Sequence, residues 1–546
     1  MSPRHPAPTC WFRRLACAGA LTLGTVGSLM LGACGSPPQS AAPDAPPPPA
    51  ATGTQTSVEA FRATPPTADA RRAFAYPTPT EQRLDNGLTL YVVERDTPLV
   101  VASLVLRSGS TDDPPGKSGL AALTARMLTE GTRDKTDREL AEASEDLGSE
   151  LSASAAHDTT ALDFEFLAED LPRALDLMAE AFTKPRLDPA VFGRVKTQWI
   201  DQLTSERQEP TTLAAIAGMR ATLGPERGAP TQGSLSGVRA LGVNDLTRFH
   251  RTHYHPDRAA LVIAGGVSAA SVQQQASRAF RGWPAPKASR LPGPADSPVS
   301  ASTSASASTS ASASISATAA AALPDQGVPK AGAATGKFGR VLLVDRADSV
   351  QSALFVGQPF PARSVAGWET RELLNQVLGG MFTSRLNQNL REKNGFTYGA
   401  RSYNYALARF GVWFLATSVR TDSTAQALSE ILSEVASVRQ ASPVTPLELE
   451  RARQELLGSY AAHLEQSTLV VEDIAKLFTH GLRPEYFAEF GGLLLGVAPE
   501  RVQQEAAAHL EPEALIAVVV GDKRQLQGGL KAVAVEVVDA PAALLD

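Results

Sequence analysis

Cysteine is almost missing from this chain: three in 546 residues, Cys10, Cys17 and Cys34, all near the start. No disulfide framework can be built from them. Positive charge is also short, with 51 Lys and Arg against 57 Asp and Glu and a net charge of −6. A chain that neutralises nucleic-acid phosphates needs a basic excess, so that class is excluded. Histidine is scarce as well, eight in all, and only His250, His253 and His255 stand close together. Pro256 breaks any helical register there and no acid or Cys cluster joins them, so they read as packing residues and not as metal ligands. His157 is isolated in a strand-like segment and reads as a surface or packed side chain.

What is present begins with an export pattern. Arg4, Arg13 and Arg14 precede an apolar stretch from Leu15 to Met30, then Leu31-Gly-Ala-Cys34. The first 33 residues contain no acid, so losing them takes the net charge from −6 to −9. The stretch reads as a signal peptide, and Leu-Gly-Ala-Cys resembles the bacterial lipobox, in which cleavage before the Cys is followed by lipid attachment to its sulfur. Cys34 is then the lipidation site and the last thiol left. Residues 34–75 are rich in Pro, Ala, Ser and Thr and form a disordered tether, and 284–336, with an Ala-Ser-Thr repeat, form a flexible linker. As a coil that linker would span ~40 Å, enough for two halves to open and close around a ligand.

The length is too great for one core, and two domains of about 200 residues are expected. Strand patterns at Leu90–Glu94 and Leu99–Arg107, joined by the turn Arg95–Pro98, predict a β-hairpin. Helices are expected at Leu120–Leu128, where Leu120, Leu123, Met127 and Leu128 form one stripe, and at Leu171–Phe182. The run Ala259–Gly265 reads as a buried strand. The second half repeats the outline: Val341–Arg346 with Ser352–Val356, then Gly411–Thr417 with a helix at Thr424–Val438, then Ala514–Gly521. A further long helix, Glu448–His463, should pack over the second sheet. The fold class is α+β, a duplicated domain in which each half is a largely antiparallel sheet with helices on one face. The boundaries are 76–283 and 337–532, with a tail at 533–546.

The most informative stretch runs from Leu378-Gly-Gly through Ser384-Arg-Leu and Leu390-Arg-Glu to Gly395-Phe-Thr-Tyr398. Phe382, Leu386 and Leu390 recur at helical spacing, Arg391 closes the helix, and Gly395 supplies its left-handed cap. A guanidinium and a phenol thus stand seven residues apart on one tight corner. Blandly, Arg391 complements a helix dipole and Tyr398 is a strand aromatic. The whole string, however, resembles the C-terminal-half signature of the pitrilysin/insulinase family of zinc metallopeptidases, and the resemblance implies that Arg391 and Tyr398 contact substrate.

In that family the helix after Gly-Leu-Ala carries His-x-x-Glu-His, two zinc-binding imidazoles and a general base. Here the matching positions are Ala122, Ala125 and Arg126, and the third ligand position falls at Asp201 or Gln202. No zinc is expected in this chain. The His250 to His255 run is similar to a structural segment of the family. Some bacterial members work as pairs, one subunit bearing zinc and the other the Arg/Tyr pair. The resemblance therefore implies a non-zinc subunit of a heterodimeric envelope peptidase, its zinc in a homologous partner, acting on an extended peptide and anchored to the outer membrane by lipid. A catalytically inert structural, assembly or peptide-binding lipoprotein of the same fold is the competing expectation, since inert homologues serve as structural subunits of respiratory complexes. A self-sufficient peptidase using other ligands is the third.

Overall fold

The computed structural model describes residues 75–284 and 337–546. The signal segment, Cys34, the tether and nearly all of the linker lie outside them. From Tyr76 onward the chain forms one compact unit built on two six-stranded sheets. The first contains β1 (Thr80–Arg83), β2 (Thr89–Glu94), β3 (Leu99–Leu106), β4 (Ser152–Ala155), β5 (Thr160–Leu167) and β6 (Ala259–Gly265), in the order β1-β2-β6-β3-β5-β4. The second contains β7 (Phe338–Asp345), β8 (Gln351–Phe360), β9 (Ala400–Ala406), β10 (Gly411–Arg420), β11 (Ile516–Gly521) and β12 (Ala534–Asp539), in the order β12-β7-β11-β8-β10-β9. Position by position, β2-β6-β3-β5-β4 corresponds to β7-β11-β8-β10-β9. Most pairs are antiparallel; β2 with β6, β7 with β11 and β7 with β12 are parallel. The duplicated α+β architecture is as expected.

One local expectation is corrected. β2 and β3 do not form a hairpin, because β6 inserts between them, parallel to β2 and antiparallel to β3. The reason is burial: all seven residues of Ala259–Gly265 are buried, and an unbroken apolar run belongs at a sheet's centre. The true hairpin is β1 with β2, turning through Leu84–Leu88.

The sheets show more than helices on one face. β3, β6, β8 and β11 are buried along almost their whole length, so both faces need cover. Each half's own helices cover one face, and the other half supplies the second cover. Helix Pro210–Leu223 of the first half lies on β8, β10 and β11, whereas helix Ser467–His480 of the second half lies on β3 and β6. The exchange is reciprocal. It overturns the expectation that the halves open around a ligand, because separating them would bare an apolar face on each sheet. Helix Pro446–His463, expected over the second sheet, instead packs among the helices Trp368–Asn375, Ser467–His480 and Tyr486–Leu495 and the turn Gln376–Gly380.

Two features fix the exchange. On the second sheet Tyr403, Phe414 and Phe355 stack in a row, with centroids 4.9 Å and 5.2 Å apart. Helix Pro210–Leu223 crosses this row at Gly218, where a Cβ would sit 2.2 Å from the Phe355 ring. On the first sheet the anchor is Asp473, buried within helix Ser467–His480. Its carboxylate accepts from the Tyr76 hydroxyl at 2.9 Å and from Lys476 at 2.5 Å, and pairs with His463 Nδ1 at 2.8 Å. Burial by itself would raise this carboxyl, but Lys476 and His463 overcome it and hold Asp473 down to about 2.

Gly218→Ala tests the close crossing. In an open helix this change gains about 1 kcal/mol; here the added methyl meets Phe355, and overpacking costs about 1–3 kcal/mol. Thermal denaturation should show a lowered Tm, and a raised one would refute the crossing. The Asp473 contacts generate a pH dependence. A folded carboxyl at about 2 lies below its unfolded value of roughly 3.9, so its stabilisation is complete above pH ~4 and is lost as pH falls towards 2. Asp473→Asn should lower stability at neutral pH and shallow the loss below pH 4 in denaturant titrations.

Candidate functional site

The helix that should carry metal chemistry runs from Leu120 to Met127 and packs against β4 and β5. It begins at Gly119, at φ 102°, and the Asp113 carboxylate accepts from the backbone N–H of Gly119 at 2.7 Å and of Ala121 at 2.8 Å. Leu120, Leu123, Met127 and Leu128 are buried in the first core, as their spacing requires. The three motif positions carry no ligand. Ala122 is 5 % exposed and Ala125 is fully buried. Arg126 turns back along its own helix, pairing with Glu130 at 2.5 Å and donating to Thr129 Oγ1 at 2.8 Å. Arg194 grips the other Glu130 oxygen at 2.7 Å. Asp201 is exposed, and Gln202 donates to Glu206 at 2.9 Å along the same helix.

These residues do not fit zinc. A methyl has no lone pair, and a guanidinium that is permanently protonated repels a cation and offers only donors. Among the described residues no group of three or more His, Cys, Asp or Glu side chains could hold a metal ion. The histidine run does pack: His250 Nε2 lies 2.8 Å from the Phe182 carbonyl and its ring leans on Tyr254, while His253 leans on Phe249, each pair tilted with centroids 4.4 Å apart. His157 is buried between the halves with Nδ1 2.9 Å from the Tyr405 hydroxyl, and burial pushes it down to about 4, leaving it neutral at physiological pH.

The Arg391 corner is built differently. The turn Gln376–Gly380 rides on β9, and glycine is required at 379 because a Cβ there would meet Ser402 Oγ at 2.4 Å. Ser384 then starts a helical segment that runs to Lys393 with wide turns. Gly395, at φ 61°, ends it: its N–H donates to the Arg391 carbonyl at 3.1 Å, and the Phe396 N–H donates to the Leu390 carbonyl at 2.9 Å. Leu386 and Leu390 are buried. Phe382 departs from the expected stripe; it lies two residues before the Ser384 cap and is 63 % exposed.

Arg391 rests over the Phe382 ring, 4.6 Å from its centroid, with the adjacent Glu392 at 3.4 Å. Tyr398 is 93 % exposed and its side chain makes no hydrogen bond or ring contact among the described residues. Its loop is nonetheless held: Thr417 Oγ1 donates to the Gly399 carbonyl at 2.9 Å, and the Arg420 N–H donates to the Phe396 carbonyl at 3.2 Å. Asn387 closes the corner, donating to the Phe382 carbonyl at 2.7 Å and accepting from the Ala400 N–H at 3.0 Å. Arg385 clamps the segment to helix Pro446–His463, bidentate on Glu448 at 2.7 and 2.8 Å. Among the described residues no hydrogen bond or ion pair joins this corner to Ala122, Ala125 or Arg126.

Sequence reasoning missed Phe382, Asn387 and Arg385 as parts of the site. A usable signal existed for the first: Ser384 is a strong helix-capping residue, and a side chain two positions before a cap does not share the helix's buried face.

Comparison with known proteins bears on the family and the fold. The family model described as Insulinase (Peptidase family M16) matches residues 90–224, and that described as Peptidase M16 inactive domain matches 240–456. An uncharacterized zinc protease of Streptomyces coelicolor is 26 % identical over 370 residues, 67 % of this chain and 73 % of that protein. The bovine mitochondrial cytochrome b-c1 complex subunit 1 is 25 % identical over 205 residues, 37 % of this chain and 42 % of its own length. A crystal structure of a peptidase M16 inactive domain from Pseudomonas fluorescens shares the fold, with a TM-score of 0.67 at 21 % identity, covering 81 % of this chain and 98 % of that one. With two models of one family matching in succession along the duplicated fold, the chain belongs to the pitrilysin/insulinase family of peptidases, family M16.

Proposed function

We propose that this chain is the non-zinc subunit of a two-chain envelope metallopeptidase, supplying substrate contacts for peptide hydrolysis carried out with a zinc-bearing homologue. The observation that carries the reading is a contrast inside one duplicated fold. At the metal helix the packing stripe is kept while the ligand positions hold two methyls and an ion-paired guanidinium. At the corner, Tyr398 stands in solvent and the half-buried Arg391 keeps its hydrogen bonds unmade, both on a backbone pinned from several sides.

The partner supplies zinc and the general base. This chain's part is electrostatic: the Arg391 guanidinium and the Tyr398 hydroxyl donate to carbonyl oxygens of a bound peptide, where negative charge grows during attack. One such donor is worth about 10²–10³ in rate. The peptide is extended and pairs with a sheet edge, a mode that tolerates varied sequences. In the same reading the chain is tethered by lipid on Cys34, facing the periplasm from the outer membrane.

A second reading, an inert structural or assembly subunit, is favoured by the similarity to the bovine respiratory-complex subunit. The two separate on the corner, since a scaffold has no use for exposed donors on a fixed backbone.

Affinity purification of the full-length protein from its native envelope should bring down a homologue containing His-x-x-Glu-His, and the pair should hydrolyse peptides in a chelator-sensitive manner. Arg391→Ala should lower kcat/KM of that pair about 10²-fold, with co-purification unchanged. Undiminished turnover would remove Arg391 from the mechanism, and a pair that hydrolyses nothing would favour the structural reading.

A further inference from the structure

Phe382 is a large apolar ring left in solvent, and it is held there. Its carbonyl is fixed by Asn387 at 2.7 Å, and the fully buried Ser384 starts the helical segment two residues later. Arg391 lies over its face at 4.6 Å. The value of that contact appears beside Arg385, six positions earlier on the same segment. Arg385 is oriented by hydrogen bonds to both Glu448 oxygens and to the carbonyls of Ser442 and Pro443, so its donors are consumed. Arg391 donates no hydrogen bond to another side chain or carbonyl among the described residues, and its one ion pair is with neighbouring Glu392. A guanidinium over an aromatic ring is held by its charge against the π face, a contact that uses none of its N–H groups as hydrogen-bond donors to another polar atom. The ring therefore restrains Arg391 without spending a single donor.

We infer that Phe382 is a positioning and specificity-determining residue: it holds the Arg391 guanidinium in place and forms an apolar wall for a large apolar or aromatic side chain of the bound peptide, next to the carbonyl that Arg391 holds. This rests on the subunit reading above. The exposed part of the Phe382 ring that Arg391 does not cover, with Tyr398 standing free on the same corner, gives such a side chain apolar surface to bury. An acidic side chain at that place would gain nothing from the ring.

The test uses the purified two-chain complex and fluorogenic peptides that differ at one residue flanking the scissile bond, Phe, Leu or Glu. Loss of the stack in Phe382→Ala should lower kcat about 2- to 5-fold on every peptide, and it should also erase the KM preference for Phe and Leu over Glu. Phe382→Leu should keep the KM preference and lose kcat, separating the wall from the stack, and Phe382→Trp should restore both. Arg391→Ala is measured in parallel. If it leaves turnover unchanged, Arg391 is out of the mechanism and the assignment of Phe382 falls with it; if the pair hydrolyses no peptide at all, the subunit reading itself fails. If it lowers turnover while Phe382→Ala alters neither kcat nor preference, the assignment of Phe382 is overturned and the subunit reading stands. Folding is checked by melting each variant, and an exposed ring should leave Tm within a degree or two.

Discussion

The protein depends on burying two sheet faces that neither half can bury by itself. Central strands such as Ala259–Gly265 and Ile516–Gly521 are apolar on both sides. At roughly 25 cal/mol per Å² of apolar surface, leaving either face wet is untenable for a domain whose net stability is only about 5–15 kcal/mol. Each half meets the need with a helix lent to the other. Gly218 lets one lent helix touch the aromatic row of the second sheet, and Asp473 locks the other beside Tyr76. The two halves therefore behave as one folding unit, whatever the length of chain that joins them.

That unit decides where chemistry can occur. The metal helix, buried along all of its length but Arg126, and the Arg391 corner belong to separate halves. The duplication is faithful down to capping: Gly119 and Gly367 both start their helices in the left-handed region, and Gly148 and Gly395 both follow the next helical segment with positive φ. Against that common frame the side chains diverge. A family member can lose its ligands at Ala122 and Ala125 without disturbing the stripe that packs the helix, because stripe and ligands occupy different faces.

Much of this was legible in the amino-acid order. The helical stripe Leu120-Leu123-Met127-Leu128 lies buried, since periodicity reports burial directly. The repeat of strand, strand, helix and buried strand gave the duplication. What escaped was non-local. Insertion of β6 between β2 and β3 is a pairing across more than 150 residues, and no turn signal encodes it. The helix exchange escaped for the same reason, although the unbroken apolar runs already required cover on both faces. In the site, Arg391 and Tyr398 were reached through resemblance, because neither spacing nor composition separates an arginine left without hydrogen bonds from one built into the packing.

The difference between those two kinds of arginine is physical. Arg385 and Arg391 share one helical segment, one charge and comparable flanks. Arg385 faces Glu448 and two carbonyls, so desolvation of its guanidinium is offset by charge-assisted bonds and the side chain becomes part of the packing. Arg391, half-buried, faces an aromatic ring and the neighbouring Glu392 and makes no hydrogen bond among the described residues. A group meant to stabilise charge in a transition state has to be oriented beforehand yet keep its hydrogen bonds unmade, because donors already engaged must be released before they can act. Stacking on Phe382 satisfies both conditions, which hydrogen bonding cannot. Under the proposed reading, the unmade hydrogen bonds at this corner belong to a group available to a ligand rather than to a failure of packing.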